Sequence, residues 1–146
     1  MGKEQFYLSS KNIYNGTATP IIIISNAVYE PRKRKYIVPD GIKPEYLCII
    51  KSEQKVLRAN TETRELDTVQ ETTELGRNIL LPIHKKTAVC CDKIPEGYPI
   101  VIVTSLYANI YQKLYGENNR LYTISDTVFT EDGRSILGAR GICQAF

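Results

Sequence analysis

Residues 99–116 read PIVIVTSLYANIYQKLYG. Ile100 to Val103 form a short unbroken apolar run, the pattern of a strand covered on both faces. Thr104 and Ser105 follow, with hydroxyls where a helix would begin. Leu106, Tyr107, Ile110, Tyr111 and Leu114 then recur at helical spacing, which sets one stripe toward a core. Gly116 is a helix stop, because it takes the left-handed conformation without steric cost. The spacing therefore predicts one main helix over about residues 105–115. A strand entering a helix through Thr-Ser gathers hydroxyls and free backbone N–H groups at one point, an arrangement that attracts phosphates.

Outward from this unit, Arg120 leads into a second apolar strand at Leu121–Ile124. The short strand–helix–strand connection predicts two parallel strands. Asp132-Gly133, between Thr127–Thr130 and Ser135–Leu137, is a hairpin signal. Gly138 and Gly141 mark bulges or close backbone approach in the last strand. Upstream, short β-branched segments bounded by turn residues predict strands at 5–8, 12–14, 21–24, 36–38, 46–51, 56–59, 63–69 and 87–91. Asn15-Gly16 reads as a turn, Asn60–Glu62 as a loop, and Glu71–Asn78 as a loop or one helical turn. Ile79–Ile83 carries Pro82, which confines it to an edge strand. The expected fold is α+β: a β-rich, mostly antiparallel single domain over 1–146, with a βαβ–hairpin unit at its C-terminal end.

Composition sets the outer limits. A chain of 146 residues buries roughly 70% of its unfolded surface without a metal or disulfide staple. The net charge of +3 permits anionic small molecules but falls short of a nucleic-acid-binding signature, so nucleic acid is not the expected partner. The run PRKRK at 31–35 reads as a solvated hairpin tip. No apolar run approaches membrane-spanning length. The opening MGKEQFYLSS lacks the pattern of a secretory signal, and Phe6 stands where an acylation signal requires Ser or Thr. Cys48, Cys90, Cys91 and Cys143 form no C-x-x-C pair, which argues for reduced thiols and against zinc. No cofactor is expected.

The candidate site centres on Thr104 and Ser105. Ten tyrosines stand against three phenylalanines and no tryptophan. Tyr107 and Tyr111, with Tyr115 and Tyr122, cluster on the central unit and suit stacking on a base. Arg120 and Arg134, with Arg140 nearby, suit bidentate clamping of phosphates. The expected ligand-binding set is thus Thr104, Ser105, Tyr107, Tyr111, Arg120 and Arg134. No P-loop, G-x-S-x-G or H-E-x-x-H motif is present, and only His84 and Glu131 offer themselves for proton transfer, so the reading leans away from an enzyme. A homo-oligomer, in the first instance a dimer, is expected from the surplus of aromatic residues, with Phe129 and Ile136 on an outer hairpin face.

Residues 94–142 resemble the end of a family of small proteins common in phage and prophage genomes. In that family an apolar strand ending in Val-Ser enters a short Ala-containing helix. A loop with Arg and Asp follows, then a Val-x-Asp-x-x-Gly-Arg-Ile-Ile-Gly hairpin. The matching pieces here are Ile102–Ser105, Leu106–Tyr111, Asn119–Arg120, Asp126–Val128 and Asp132–Gly138. The family's N-terminal Leu-Thr-Pro-His-Asn-Ile is matched only by Leu8-Ser9-Ser10-Lys11-Asn12-Ile13, so no histidine role carries over. The resemblance implies a phage origin and action in the cytoplasm of a bacterial host. By analogy with small viral sponges, the expected function is sequestration of a cyclic or ADP-ribose-type immune nucleotide. The alternatives are a nucleotide-cleaving anti-defence enzyme and a non-enzymatic phage structural or interaction protein.

Overall fold

The computed structural model describes residues 2–146. After a 3₁₀ turn at Lys3–Phe6, the strands are β1 (Ile13–Asn15), β2 (Ile21–Ile24), β3 (Val28–Glu30), β4 (Lys35–Val38), β5 (Tyr46–Ile50), β6 (Ala59–Thr72), β7 (Asn78–Cys91) and β8 (Ile100–Ile102). The helix α1 (Ser105–Tyr115) and strands β9 (Leu121–Thr130) and β10 (Ile136–Gln144) complete the chain. The fold is α+β and strand-rich, with one main helix at the predicted boundaries.

The main sheet runs β1-β8-β9-β10-β2-β5, with β4 joined to β9 and β3 outside β4. It is mixed, which corrects the mostly antiparallel expectation. β1/β8, β8/β9, β4/β9 and β2/β10 pair in parallel. The predicted parallel pair flanking the helix is β8/β9, with Val101 opposite Leu121. The additional parallel pairs join segments distant in sequence, which no local turn signal encodes. With β10 along one edge, β9 is long enough to serve two neighbours on the other: its start pairs with β8 and its end with β4. Between them Asp126 takes φ 36° and Arg140 pairs with its carboxylate at 3.1 Å.

α1 covers one sheet face. Tyr107, Ala108 and Ile110 turn inward, and Tyr107 packs in a cluster with Tyr14, Leu57, Ile94, Val101, Val103 and Leu121. Leu106, expected on the buried stripe, is exposed, because Tyr107 and Ala108 occupy the sheet-facing arc. A second cluster, built on Ile21, Ile23, Ile50, Ile102 and Ala139, holds the isoleucine-rich β2 in the sheet.

Two N-terminal expectations change. Residues 5–8 do not form a strand; Lys3–Phe6 is a 3₁₀ turn and only Tyr7 bridges, to Ile49. Asn15-Gly16 is not an exposed turn. Asn15 is fully buried at the end of β1, where its Nδ2 donates to Thr19 O and Ile50 O, each at 3.1 Å. Its Oδ1 accepts from the Thr17 backbone N–H at 3.0 Å. Gly16 lies under Leu57, whose side chain would sit 2.8 Å from any added Cβ.

The largest departure lies in residues 59–91. The predicted loop at 60–62 is interior to β6, and β6 pairs with β7 from Ala59↔Cys91 to Thr72↔Asn78. Polar Asn-Thr-Glu is a turn former in isolation, but cross-strand pairing overrides it. The reversal occurs instead at 73–77, where Gly76 has φ 86° and donates to Thr73 O at 2.9 Å. β6 and β7 form a sheet of their own. At its root Ala59 and Cys91 pack against the helix-bearing core, and Asp92 N–H donates to Arg58 O at 2.8 Å.

Candidate functional site

The six residues read as one site occupy four environments. Thr104 and Ser105 are exposed at the helix entry. Thr104 is the N-cap: its Oγ1 accepts from Tyr107 N–H at 3.2 Å, so the hydroxyl satisfies the helix's own open donors. Tyr107 does not face a ligand. It is 1% exposed, and its hydroxyl donates to Asp92 O at the root of the β6–β7 hairpin. Burial, with the neighbouring Cys91 adding to it, raises this phenol well above its ordinary range. Its role is to tie the helix to the hairpin.

Arg134 lies at the opposite end of the molecule. It follows the Asp132-Gly133 turn, beyond the end of β9, whereas Thr104 stands level with the start of that strand. Eight residues of strand separate Tyr122 from Thr130, roughly 26 Å. The Arg134 backbone N–H donates to Asp132 Oδ1 at 2.9 Å. The Thr130 hydroxyl donates to the same oxygen, and these two bonds hold the Asp132 carboxyl below its usual range. The PRKRK run closes over this turn: Lys33 Nζ donates to Glu131 O, and Lys35 Nζ to Gly133 O at 3.2 Å. Lys35 also sits 4.5 Å above the Phe129 ring. The basic run is thus a hairpin tip, as read from sequence, but one docked on a second hairpin.

Tyr111 and Arg120 do come together, at the C-terminal end of α1. They line a cleft of about 330 Å³ with Tyr115, Asn118, Lys93 and Ile94. The helix brings Tyr111 and Tyr115 to one side because residues four apart share a face. Their rings lie 5.0 Å apart, tilted by 53°. Asn118 Nδ2 donates to the Tyr111 hydroxyl at 3.2 Å, which orients that ring. Arg120 Nε donates to Tyr98 O at 2.9 Å and Nη2 to Pro95 O, so the guanidinium is fixed in place. Asn118 and Arg120 also line a neighbouring open cleft of about 650 Å³, with Glu117, Asn119, Gln144 and Phe146.

Asp92 and Glu96 border the first cleft as well. Asp92 Oδ2 accepts from Arg58 N–H at 2.8 Å, and Glu96 lies 3.9 Å from Lys93. Cys91 is the thiol at this site; burial pushes it up and keeps it protonated, which makes it a poor nucleophile. His84 is on the β6–β7 hairpin opposite Glu65, and Glu131 is at the far hairpin tip, so the two proton-transfer candidates do not meet.

Sequence reasoning missed Lys93 and Asn118 as companions of Arg120, and it grouped Tyr115 with Tyr111 for stacking but left it out of the ligand-binding set. Lys93 comes from the segment leaving β7, and no local motif links it to the helix end. Tyr115 was legible, four residues after Tyr111 on the same helical face. Comparison with protein-family models, curated proteins and solved structures finds no match.

Proposed function

We propose that the protein binds and holds a small anionic nucleotide, of cyclic or ADP-ribose type, in the cleft at the C-terminal end of α1. On this reading it is a phage-encoded protein that sequesters an immune signal in the host cytoplasm. The observation that carries the proposal is the convergence of Tyr111, Tyr115, Asn118, Lys93 and Arg120 on one cleft. Two tilted phenol rings offer an aromatic wall for a base. Arg120 is held by two carbonyls, and its remaining N–H groups have no acceptor among the described residues, which leaves them for a phosphate oxygen. Lys93, exposed and 3.9 Å from Glu96, supplies a second charge at the rim. A protonated Cys91 and the separation of His84 from Glu131 favour holding over cleaving.

The test is calorimetric titration with AMP, ADP-ribose and a cyclic dinucleotide, together with mass spectrometry of molecules released by heat from protein incubated in extracts of defence-activated bacteria. Intact nucleotide in the released fraction is the expected result. Loss of one charge-assisted hydrogen bond costs roughly 1.5–3 kcal/mol, so Lys93→Ala should weaken binding by about tenfold or more. Tyr115→Ala should weaken it as well, while Thr104→Ala and Arg134→Ala leave it within about twofold. Binding that depends on Thr104 or Arg134 would return the site to the helix entry or the hairpin tip. A converted product would favour an enzyme. A second reading, a non-enzymatic interaction protein, is favoured by the form of the β6–β7 hairpin.

A further inference from the structure

Two clefts meet at one arginine. Arg120 and Asn118 border both the cleft of about 330 Å³ that holds Tyr111 and Tyr115 and the cleft of about 650 Å³ beside it. Each volume lies within the roughly 300–1,000 Å³ of small-molecule pockets. The chain path accounts for the shared border. α1 ends at Gly116, which takes φ 87°, and a short loop turns back into β9 at Leu121. That loop has the end of the helix on one side and the end of β10 on the other, where Gln144 pairs with Tyr122.

The border is fixed. Asn118 Nδ2 donates to the Tyr111 hydroxyl at 3.2 Å, and its Oδ1 accepts from the Arg120 backbone N–H at 2.9 Å. Arg120 Nε and Nη2 are spent on the carbonyls of Tyr98 and Pro95, so the guanidinium does not swing into either cleft.

The clefts differ in chemistry. The first has the two tilted phenol rings and Lys93. The second is lined by the side-chain amides of Asn119 and Gln144 and by the Glu117 carboxylate. Among the described residues, Arg120 is its one cation. A carboxylate repels a phosphate, but with amide oxygens it accepts hydrogen bonds from hydroxyls, so the set suits a sugar diol. Phe146, the one aromatic ring of this cleft, packs on the core cluster.

A ligand that fills both clefts therefore carries a base at one end, its negative charge in the middle and a base-free sugar at the other end. This separates the two nucleotide types. A cyclic dinucleotide has two bases and a phosphate on each side of its ring, and it calls for two aromatic walls and two opposed cations. The second cleft offers a carboxylate where the second cation would stand.

We propose that the ligand is a linear nucleotide of the ADP-ribose type lying across Arg120. Its base rests on Tyr111 and Tyr115, its diphosphate on the guanidinium, and its second ribose among Glu117, Asn119 and Gln144. The assignment rests on nucleotide binding at this site and adds to it a sugar subsite and the class of nucleotide.

Calorimetric titration of the full chain with AMP, ADP, ADP-ribose and cyclic di-AMP tests this. ADP-ribose should bind about tenfold or more tighter than ADP, which lacks the second ribose, and ADP tighter than AMP. Cyclic di-AMP should bind about tenfold or more weaker than ADP-ribose. Asn119→Ala with Gln144→Ala should bring ADP-ribose down to the affinity of ADP while ADP itself changes by less than about twofold, which also reports that the variant is folded. Tyr115→Ala should weaken all three linear nucleotides alike. ADP-ribose no tighter than ADP, or a double variant that loses both equally, would overturn the sugar subsite and leave nucleotide binding standing. Cyclic di-AMP as tight as ADP-ribose would overturn the class. Binding of none of the four would overturn the nucleotide reading itself, and the subsite with it.

Discussion

Asn15 shows how a residue's local signal and its tertiary role can part. Asn-Gly reads as a turn because both residues tolerate unusual backbone angles. Here the amide instead supplies donors to two carbonyls and an acceptor to a third group, all away from water. Asn15→Asp would set a carboxylate against Thr19 O and Ile50 O. Its folded pKa would rise above the unfolded value, so the native state binds the extra proton, and stability present at low pH is lost as pH rises. The expected loss at pH 7 is about 3 kcal/mol, shrinking toward pH 4, measured as a denaturation midpoint at each pH. Thr104 is the converse case. A Thr before an apolar helix is first an N-cap, and Thr104→Ala should cost about 1 kcal/mol of stability. Tyr107 was legible as a core residue by its periodicity, yet the clustering of tyrosines on the central unit placed it in the ligand set. With its folded pKa raised above the ordinary 10.0, it should stay silent in an absorbance titration while exposed phenols ionise. Stability should then fall above about pH 10, where the unfolded chain releases a proton that the native chain retains.

Among the elements, α1 was legible to the residue because three signals agree: Thr104, the 3.6-residue stripe and Gly116. The β6–β7 arm was legible only in pieces. Its strands were found at 63–69 and 87–91, but they were read apart because Asn60–Glu62 and Pro82 resemble breaks. Pro82 sits opposite Thr68 in a ribbon whose two strands are both edges, so its missing N–H disrupts no interior ladder. The one backbone position in the arm that demands special geometry is Gly76, with φ 86°. Gly76→Ala should cost roughly 1–2 kcal/mol locally. The effect should be read as faster amide exchange along the outer arm of dilute protein, with the unfolding midpoint of the main sheet little changed, since the tip touches none of its core.

For the whole molecule, what the sequence left hidden is the order of strands. Turn signals encode neighbours in sequence, and they delivered the β9–β10 hairpin. They say nothing of β1 lying on β8 or β2 on β10, which depend on matching apolar faces. The candidate cleft was half hidden for the same reason, since Lys93 reaches Tyr111, Tyr115 and Arg120 only through that topology. If the chain forms the expected homodimer, the midpoint of thermal unfolding should rise with protein concentration, because association draws on the native state alone. A scan at 2 and 200 µM measures it, and a midpoint independent of concentration would count against assembly. The pairing of Ile13 with Ile100 also fixes a timetable. At translation rates of roughly 5–20 residues per second, β1 leaves the ribosome seconds before β8, its one strand partner among the described residues, exists. β6 and β7, by contrast, can close on each other as soon as both have emerged. The most exposed part of the finished protein can thus take shape during synthesis, while the strand that opens the main sheet waits for the last third of the chain.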